Sequence, residues 1–501
     1  MNDIPIRTKQ LKVGLEIHVE LQTRSKMFTR TPNVAHPDFE GAEPNTLVDP
    51  VVAALPGTLP VMNKSAVEMS MLVGLALGCE ISRFSKWDRK NYYYPDLPKG
   101  YQISQYDLPL CLGGAFTINS VSGAPRRIGI TRAHLEEDTG KLGHELPGGR
   151  PFQGSLVDLN RAGTPLLEIV TEPDFDDGRD VVRFAQELRS LCRFLGVTQG
   201  VMQRGHMRFE PNINLEMELE DGRSVKTPIV EVKNLNSFRA VLGAIEYEFE
   251  RQEHAWREDG REMGPGAKAT RGWDDEKLVT ILQREKEDAH DYRYFPDPDL
   301  VPVVVDDAWL EEVRSRLPEL PAARRVRYVQ EFGLREKDAD VLLDERPVVE
   351  FFEAILDVPE SGGDAPAVCK LLLNQAAKIA NERGCRIDQL GISVEQIAQV
   401  IALRRENEIG AQSIDPLLGL LVESEAVART VAEEAGMIVV LDESQLEDWC
   451  RAAIEANEQA AEDIRNGKMA AIGRLMGHVM KSSGGSADAK AVQAKLKELL
   501  S

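Results

Sequence analysis

The sequence predicts an α+β protein, with a domain on a largely antiparallel sheet followed by helical domains. Two observations support this prediction. The first 300 residues are rich in Gly, Pro and short β-type runs, which helical patterns interrupt in three places. After Val303, helical periodicity dominates as far as the C-terminus. We therefore expect residues 1–302 to form the sheet-based domain, 303–440 a helical domain and 441–501 a small helical tail domain.

The individual elements follow from the same periodicities. Short β-type runs predict strands at Val13–Leu21, Arg127–Thr131, Ser155–Leu159, Leu166–Val170 and Pro228–Val232, and the first of them alternates with period two. Helical spacing predicts helices between them at Ser65–Leu77, Gly178–Leu195 and Phe238–Arg251. The later helices are predicted at Asp307–Arg316, Ala322–Phe332, Glu336–Leu343, Val348–Leu356, Ala367–Asn381, Ser393–Arg404, Ser424–Glu434, Glu443–Glu455, Ala460–Asn466, Met469–Met480 and Ala487–Leu500.

Composition narrows the class of protein. A chain of 501 residues exceeds the size of one hydrophobic core, so two or three domains are expected. A formal net charge of −22 argues against broad nonspecific coating of nucleic acid, but it leaves room for a local basic patch. No apolar run approaches the length of a membrane span. The N-terminus lacks the apolar region of a signal peptide, and the six cysteines lack CxxC spacing, so we expect a cytoplasmic protein without membrane association.

The run Val13–Leu21 alternates strictly between apolar and polar positions. Apolar residues occupy the odd positions, and Gly14, Glu16, His18 and Glu20 occupy the even ones. Since a strand has a period of two, two carboxylates and an imidazole share one face, with Cα atoms about 7 Å apart. Glu16 and His18 are therefore candidate ligands of one divalent cation, and Gly14 leaves room beside it. The alternative is a half-buried strand whose polar face meets water.

A second acidic group, His134–Asp138, follows the strand-like segment Ile128–Arg132. Three successive acids repel one another unless a cation or solvent neutralises them. Alternation does not decide whether Glu136 or Glu137 shares the face of the first group, and an exposed acidic turn is the alternative. Lys141 is a candidate phosphate contact shortly after it, although the surrounding residues do not form a Walker motif.

The segment Glu231–Phe238 combines charged residues with the start of a helix. Alternation places Glu231 and Lys233 on one strand face, and Asn236 or Ser237 is a natural N-cap. A carboxylate and an ammonium just before a helix N-terminus suit a metal-bound phosphate. The alternative is a surface ion pair.

The segment Trp87–Gln102 mixes aromatic and cationic side chains. It contains a tryptophan, four tyrosines, three cations and two prolines. These residues predict a rigid loop with stacking surfaces and with lysines, among them Lys90 and Lys99, that can contact phosphate. A purely structural aromatic corner is the alternative.

The tail holds the clearest charge asymmetry of the chain. No acid occurs from Arg465 to Ala487, whereas Lys468, Arg474 and Lys481 are cations. On a helix Arg474 and Lys481 share one face. This face is the candidate nucleic-acid contact of an otherwise acidic chain, and a solvated face is its alternative.

Taken together, these segments resemble the B subunit of the tRNA-dependent amidotransferases, which convert Asp-tRNA(Asn) or Glu-tRNA(Gln) to the amide form. The resemblance extends along nearly the whole chain. The matching segments are Val13–Leu21, Leu55–Val61, Lys90–Gln105, His134–Lys141, Asp158–Ile169, Glu231–Phe238, Asp291–Pro296 and Asn466–Lys468.

The resemblance implies the following fold and activity. The first domain would be a cradle-shaped kinase and transamidase domain, and the tail domain would contact the tRNA elbow. ATP and Mg²⁺ would serve to phosphorylate the aminoacyl carboxylate, and ammonia would displace the phosphate. A glutaminase A subunit would supply the ammonia, and a small C subunit would tether the two.

The resemblance also implies roles for residues. Catalytic roles would fall on Glu16, His18, Glu137 and Glu231. The metal ligands would be Glu16, His18, Glu136, Glu137 and Glu231. Contacts to the nucleotide are expected from Lys90, Lys99, Lys141, Lys233 and Asn234. Contacts to tRNA are expected from Lys468, Arg474 and Lys481.

One departure from the family pattern concerns zinc. Many family members carry two cysteine pairs suited to zinc, and the matching positions here are Thr29, Thr31, Asp49 and Val52. We therefore expect no structural zinc, and we expect packing around Phe39 and Pro44 to replace it.

Two other functions remain open at the level of sequence. A stand-alone metal-dependent ligase would act on a small free carboxylic acid and would not need the basic tail. A non-catalytic tRNA-binding scaffold would leave the acidic residues as solvated faces and would not bind ATP with Mg²⁺. The sequence does not decide whether Asp-tRNA(Asn), Glu-tRNA(Gln) or both are substrates.

Overall fold

The protein is described by a computed structural model that covers residues 4–146, 149–285, 292–438, 443–465, 468–483, 487 and 489–500. Its contacts divide the chain into two compact units, Met1–Pro321 and Ala322–Ser501. Strands dominate the first unit and helices the second, which confirms the predicted α+β class. The three-domain division stays a prediction. Three motif residues, Asp291, Asn466 and Gly467, lie outside the described residues.

The first unit combines many strands with a few helices. Its strands are β1 (Ile6–Glu20), β2 (Glu80–Ile81), β3 (Phe84–Ser85), β4 (Asp88–Asn91), β5 (Tyr101–Ser104), β6 (Cys111–Leu112), β7 (Ala115–Asn119), β8 (Pro125–Glu137), β9 (Lys141–Leu146), β10 (Arg150–Asp158), β11 (Pro165–Thr171), β12 (Met207–Leu219), β13 (Ser224–Lys226), β14 (Val230–Lys233), β15 (Ala269–Asp274), β16 (Val279–Glu285), β17 (Phe295–Pro296) and β18 (Val303–Val304). Its helices are α1 (Lys64–Ala76), α2 (Gly178–Phe194), α3 (Phe238–Asp259) and α4 (Asp307–Ser315).

Strand β1 lies in the middle of the main sheet. In the described part of the chain, eleven strands form this sheet in the order β16-β15-β14-β12-β1-β11-β8-β6-β2, with β13 on β12 and β7 on β8. Strand β1 pairs antiparallel with β12 on one side and with β11 on the other. Among the described strand pairs, only β14 and β15 run parallel. Residues far apart in sequence are thereby brought next to β1.

One face of the sheet is apolar and covered by helices. The odd-numbered β1 residues Val13, Leu15, Ile17 and Val19 are at most 1% exposed and belong to one core with residues of α1, α2 and α3. Full burial of each such side chain contributes about 1.5–3 kcal/mol. The strict alternation of β1 therefore fixes which face packs on the core and leaves the even-numbered residues on the opposite face.

Side-chain caps define where the two longest helices begin. Asp177 accepts a hydrogen bond from the backbone N–H of Arg179 at the start of α2, and Ser237 accepts one from Ala240 at the start of α3. Each cap satisfies an N–H that the helix leaves without an internal partner. The Ser237 cap fixes the direction of the chain directly after β14, which carries part of the polar face.

The second unit consists of helices. They are α5 (Pro321–Gln330, which begins at the boundary), α6 (Glu336–Leu342), α7 (Arg346–Asp357), α8 (Ala365–Lys370), α9 (Ala377–Arg383), α10 (Val394–Arg405), α11 (Ile414–Leu421), α12 (Ala428–Glu434), α13 (Glu443–Ala456), α14 (Glu458–Arg465), α15 (Ile472–Ser482) and α16 (Ala489–Leu500). A π-helical segment, Leu371–Ala376, joins α8 to α9. Side chains from α13 to α16 form a hydrophobic cluster of their own.

Several elements were absent from the sequence-based prediction, including β4, β5, β7, β9, β15 and β16. Two further absences, β12 and α11, have a cause that the sequence shows. The first is β12, in which Pro211 interrupts an otherwise regular alternation and disfavours a strand assignment. Because β14 pairs with Asn212 and Ile213, Pro211 lies at the edge of that pairing, where a missing N–H is tolerated. The second is α11, which contains Pro416 in its first turn, a position that helices accept. The predicted helix Ser424–Glu434 is shorter in the structure, where α12 begins at Ala428.

Candidate functional site: an acidic sheet face

The face of the main sheet opposite the helices carries polar residues on five neighbouring strands. In the register of the sheet, His18 lies opposite Glu168 of β11 and Arg208 of β12. Residues directly opposite each other on antiparallel strands share a face. The same registers place further polar residues there: Glu16 opposite Glu210, Glu168 opposite His134, and Asn212 opposite Glu231. The polar half of β1 is therefore the centre of a wide acidic cluster, whose members Glu136, Glu168 and Glu231 are buried.

The first group of possible ligands comprises His18, Glu136 and Glu168, which we call group one. The Nε2 atom of His18 lies 3.5 Å from Oε2 of Glu168 and 3.8 Å from Oε1 of Glu136. All three ligand atoms lie within 4.8 Å of one another. The Nε2 atom of His134 is 3.6 Å from the same Glu168 oxygen. Two carboxylates and an imidazole at these distances match the donors that bind a hard divalent cation.

The second group comprises Glu16, Glu210 and Glu231, which we call group two. One carboxylate oxygen of each lies within 4.8 Å of the others. The ammonium of Lys233 contacts both Glu210 and Glu231, the latter at 2.8 Å. The side-chain amide of Asn212 donates to Oε1 of Glu16 at 3.0 Å. The ammonium of Lys268 lies 3.9 Å from the same Glu16 oxygen. Three carboxylates against two ammonium groups leave an excess of negative charge, so a divalent cation suits this group as well.

Burial and charge shift the pKa values in group one. Burial lowers the pKa of His18, but the hydrogen bond to Glu168 and the charges of Glu210 and Glu168 raise it, to a net value of about 9. Burial and the charge of Glu168 raise the pKa of Glu136 to about 7. Burial lowers the pKa of His134 to about 4. A bound cation would therefore replace the proton of His18 as the positive charge beside Glu168.

A third set of charged side chains lies at the end of β1. It comprises Glu20, Asp138, Arg161 and Arg208. Arg208 donates from Nη2 to Oδ2 of Asp138 at 2.7 Å, and the Nε of Arg161 is 3.6 Å from the same oxygen. Burial raises the pKa of Asp138, but the two guanidinium groups outweigh it and hold the pKa well below its usual range. Burial and the charge of Asp138 raise the pKa of Glu20 to about 8. This end of the face therefore presents guanidinium groups beside the carboxylates.

Comparison with known proteins identifies the family. The family model described as GatB/GatE catalytic domain matches residues 11–311, and the model described as GatB domain matches residues 350–500. A relative from Thermomicrobium roseum, the B subunit of aspartyl/glutamyl-tRNA(Asn/Gln) amidotransferase, is 43% identical over 491 residues, which cover 97% of this chain and 98% of the relative. The chain belongs to the family of amidotransferase B subunits.

Further relatives in this family support the same assignment. The B subunit from Dehalococcoides mccartyi is 41% identical over 497 residues, which cover 97% of this chain and 98% of the relative. The B subunit from Moorella thermoacetica is 42% identical over 489 residues, which cover 97% and 99%. The resemblance proposed from the motifs is thereby confirmed. Among the helices of the described ranges, none combines the length and the apolar character needed to cross a bilayer.

The structure distinguishes between the two adjacent glutamates expected to act in this family. Glu136 lies opposite Leu166 of β11 in the register of the sheet. This register places the Glu136 side chain on the same face of the sheet as the His18 side chain. The Glu137 side chain points to the other side of β8, where its carboxylate contacts the Lys99 ammonium and accepts a hydrogen bond from the backbone N–H of Ile103 at 3.0 Å. Glu136 therefore belongs to group one, whereas Glu137 and Lys99 form a neighbouring ion pair.

The remaining expected nucleotide contacts lie in different places. Lys90 lies on β4, with its ammonium 5.1 Å from the ring centroid of Tyr292. Burial lowers its pKa, but Glu136 and Glu168 outweigh burial and raise the pKa above its usual range. Lys233 is part of group two. Two others are exposed: Lys141 begins the separate β9–β10 hairpin, and Asn234 follows β14 with a left-handed backbone (φ 65°).

Sequence reasoning overlooked Glu168 and Glu210 as possible ligands. Both carried a signal. Glu168 is the lone acid in the apolar run Pro165–Thr171, and a buried carboxylate there requires a charged partner. Glu210 occupies an even position of the alternating run Met207–Leu219, so it shares a face with other polar residues.

The four positions that carry cysteines in many family members lie together in this chain. The hydroxyl of Thr29 contacts Asp49, and its oxygen lies 3.4 Å from that of Thr31. The backbone N–H of Val52 donates to Oδ1 of Asp49 at 2.8 Å. Hydrogen bonds centred on Asp49 thus connect the segments that the cysteine pairs would connect through a metal.

Metal analysis tests the prediction that this chain holds no structural zinc. Because two hydroxyls, one carboxylate and the apolar side chain of Val52 replace the thiolates, a four-sulfur zinc site is missing. Inductively coupled plasma mass spectrometry of the purified chain should find zinc far below one atom per chain, also after expression in zinc-supplemented medium. Zinc at one per chain that survives dialysis against a chelator would contradict this expectation.

Proposed function

We propose that this chain carries out the ATP-dependent amidation step of a tRNA-dependent amidotransferase. Its substrate would be the side-chain carboxylate of Asp-tRNA(Asn), Glu-tRNA(Gln) or both. A glutaminase A subunit would supply ammonia, and a small C subunit would complete the assembly. The observation that carries this proposal is the pair of ligand groups on one sheet face, because two adjacent groups of hard ligands suit the handling of a triphosphate.

The proposed reaction has two steps. An oxygen of the substrate carboxylate attacks the γ-phosphorus of ATP, the bond to the bridging oxygen of ADP breaks, and an acyl phosphate forms. Ammonia then attacks the carbonyl carbon, the carbon–oxygen bond to phosphate breaks, and inorganic phosphate leaves with the electron pair. Loss of a proton from nitrogen gives the amide. Phosphorylation is needed because a free carboxylate has no adequate leaving group.

The chain's own residues would prepare this reaction by holding charge in place. Mg²⁺ bound by the carboxylates of groups one and two would supply positive charge to the phosphate oxygens. Lys233 bridges Glu210 and Glu231 and so limits the repulsion within group two. Lys90 places a half-buried positive charge beside Glu136 and Glu168. These fixed charges need little reorganisation when the negative charge of the phosphoryl group shifts.

An isotope experiment on the reconstituted complex tests the proposal. The side-chain carboxylate of Asp-tRNA(Asn) or Glu-tRNA(Gln) is labelled with ¹⁸O, and the complex receives ATP, Mg²⁺ and glutamine. Formation of an acyl phosphate predicts one labelled oxygen in the inorganic phosphate and ADP as the nucleotide product. Label in AMP would contradict the kinase step. Amidation of free aspartate or glutamate would favour a stand-alone ligase, and absence of ATP turnover would favour a scaffold.

The proposed tRNA contact is the exposed face of α15. Arg474 and Lys481 are exposed on this helix, whereas Ile472, Leu475 and Val479 pack into the tail cluster. Lys468 precedes the helix and lies 3.1 Å from Asp463. The basic side chains of α15 are therefore placed to meet phosphates without disturbing the core of the tail.

Charge reversal tests this tail face. The double variant Arg474→Glu/Lys481→Glu should bind tRNA more weakly, and its plot of log binding constant against log salt should be less steep by about 1 per lost phosphate contact. The control is Lys337→Glu/Lys497→Glu, which changes the net charge equally at exposed lysines of α6 and α16. If both double variants bind tRNA as tightly as the unmodified chain at every salt concentration, the α15 face is merely solvated.

A further inference from the structure

A cavity of about 150 Å³ lies between α3 and the outer strands of the main sheet. Arg251 of α3 and Ala269 and Arg271 of β15 are among the residues that line it. Thr270, the residue between the latter two, has its hydroxyl 3.4 Å from Oε2 of Glu231 in group two. Because successive side chains of a strand point to opposite faces, the cavity lies on the helix-covered side of the sheet, away from groups one and two. We call it the arginine cavity.

Two guanidinium groups at the arginine cavity share one buried carboxylate. Glu248 is 0% exposed and accepts hydrogen bonds from Nε and Nη2 of Arg251 at 2.8 and 2.7 Å. The Nε atom of Arg271 lies 3.4 Å from Oε1 of the same carboxylate. The side-chain amide of Gln252 also donates to Glu248, at 3.0 Å, and so does the hydroxyl of Thr280. Glu248 therefore supplies one negative charge against two positive ones.

The positive charge of Arg271 is incompletely balanced. Its Nε and Nη2 atoms donate to the hydroxyl and the carbonyl of Thr280, both at 2.7 Å, and these acceptors are neutral. Burial and the charge of Arg251 lower the pKa of Arg271, and the charge of Glu248 only partly offsets them. Because a partly buried guanidinium without a full counter-charge is unfavourable, a further anion beside it would stabilise the cluster.

The two arginines keep hydrogen-bond donors for such an anion. Within the part of the chain that the structure describes, their bonds use Nε and Nη2, and the Nη1 atoms of Arg251 and Arg271 have no acceptor. Both side chains are partly exposed, at 22% and 17%. The other charged pair that lines the cavity, Arg261 and Asp259, is balanced within itself, with Nε 3.8 Å from Oδ2. The arginine cavity thus combines accessible donors with a net positive charge.

The size of the arginine cavity limits its ligand to a small molecule. Liquid water occupies about 30 Å³ per molecule, so about five waters would fill the cavity. Pockets for drug-sized ligands begin at about 300 Å³. Pro228, Val230 and Leu282 add apolar wall beside the arginines. Inorganic phosphate, or a carboxylate on a short carbon chain, matches this volume and this lining, because guanidinium groups bind both through paired hydrogen bonds.

We propose that the arginine cavity is a binding site for a small oxyanion, held between Arg251 and Arg271. The site does not rest on the proposed amidation chemistry, since none of its lining residues belongs to group one or group two. Phosphate and short-chain carboxylates share the chemistry that the two arginines recognise. The proposed amidation would release phosphate, and the partner glutaminase would release glutamate, so these two anions are the natural probes.

Isothermal titration calorimetry on the full chain tests the site with inorganic phosphate and with glutamate as separate probes. A chelator removes Mg²⁺, so that the carboxylates of groups one and two repel anions. Arg271→Gln removes the incompletely balanced charge, whereas Ala255→Leu fills the cavity from α3 and keeps every charge. At least one probe should bind the unmodified chain, and each variant should raise its Kd at least tenfold. Circular dichroism checks folding, and Ala255→Leu decides the outcome if Arg271→Gln does not fold.

Two matched controls separate a specific site from general effects of charge and size. Arg239→Gln removes an arginine of α3 whose side chain is 85% exposed, and Ala452→Leu enlarges an exposed alanine of α13. Both should keep the Kd of the probe within twofold. If neither probe binds the unmodified chain, or if all four variants bind it equally, the cluster is structural only and the proposal is wrong. Unchanged binding in Ala255→Leu alone would also overturn it, because the anion would then lie outside the cavity.

Discussion

Replacement of His18 by alanine should abolish amidation while leaving glutamine hydrolysis by the partner glutaminase at least partly intact. His18 is the one imidazole of group one, with Glu168 and Glu136 at 3.5 and 3.8 Å. Without it, a cation at group one loses a ligand, and the two carboxylates keep Lys90 as a positive neighbour but lose the imidazole. Because the charge on the transferring phosphoryl group must be stabilised at this point, the loss in kcat should be about 10² or more.

The measurement compares the rate of aminoacyl-tRNA amidation with the rate of glutamine hydrolysis in the same reconstituted complex. His254→Ala is the matched control, since His254 is an exposed residue of α3 that the proposed chemistry does not involve. Binding of Mn²⁺ to the isolated full chain, followed by electron paramagnetic resonance, provides a readout independent of turnover and should weaken in His18→Ala alone. Amidation at the rate of the unmodified protein would rule out this role for His18.

Local patterns in the sequence predicted those parts of the fold that depend on local interactions. Strand β1 was predicted because its alternation is strict, and α2 and α3 because their apolar residues recur at helical spacing. For α3 a candidate N-cap at Asn236 or Ser237 supported the prediction, and the structure has Ser237 as the cap. Strand β12 was missed because Pro211 and its two asparagines disfavour strands, although long-range pairing with β1 stabilises it. The tertiary pairing outweighs the local preference there.

Local sequence patterns alone could not predict which residues make up the site. The choice between Glu136 and Glu137 is decided by the pairing of β8 with β11, two strands separated by the β9–β10 hairpin. Groups one and two each combine β1 with residues more than a hundred positions away, such as Glu168 and Glu210. The ligands on β1 were therefore predictable from alternation, whereas their partners required the order and register of the sheet.

The second large effect on amidation is expected from the two glutamates that sequence reasoning overlooked. Glu168→Gln and Glu210→Gln each keep the shape of the side chain and remove one negative charge. Glu168 contacts both His18 and His134, and Glu210 contacts Lys233. If each group binds a cation that acts on the triphosphate, each substitution should lower kcat for amidation by about 10² or more.

Glu218→Gln is the control for these two variants, because Glu218 lies on β12 like Glu210. Its side chain is 57% exposed, and its nearest cation is Arg7 at 3.8 Å. It should amidate within about twofold of the unmodified protein, as expected for an exposed ion pair. Titration with Mn²⁺ should show weaker binding for Glu168→Gln and Glu210→Gln and no change for Glu218→Gln. Full activity of Glu168→Gln would mean that group one does not act on the triphosphate, and full activity of Glu210→Gln would mean the same for group two. The triphosphate would then be bound through the other group alone.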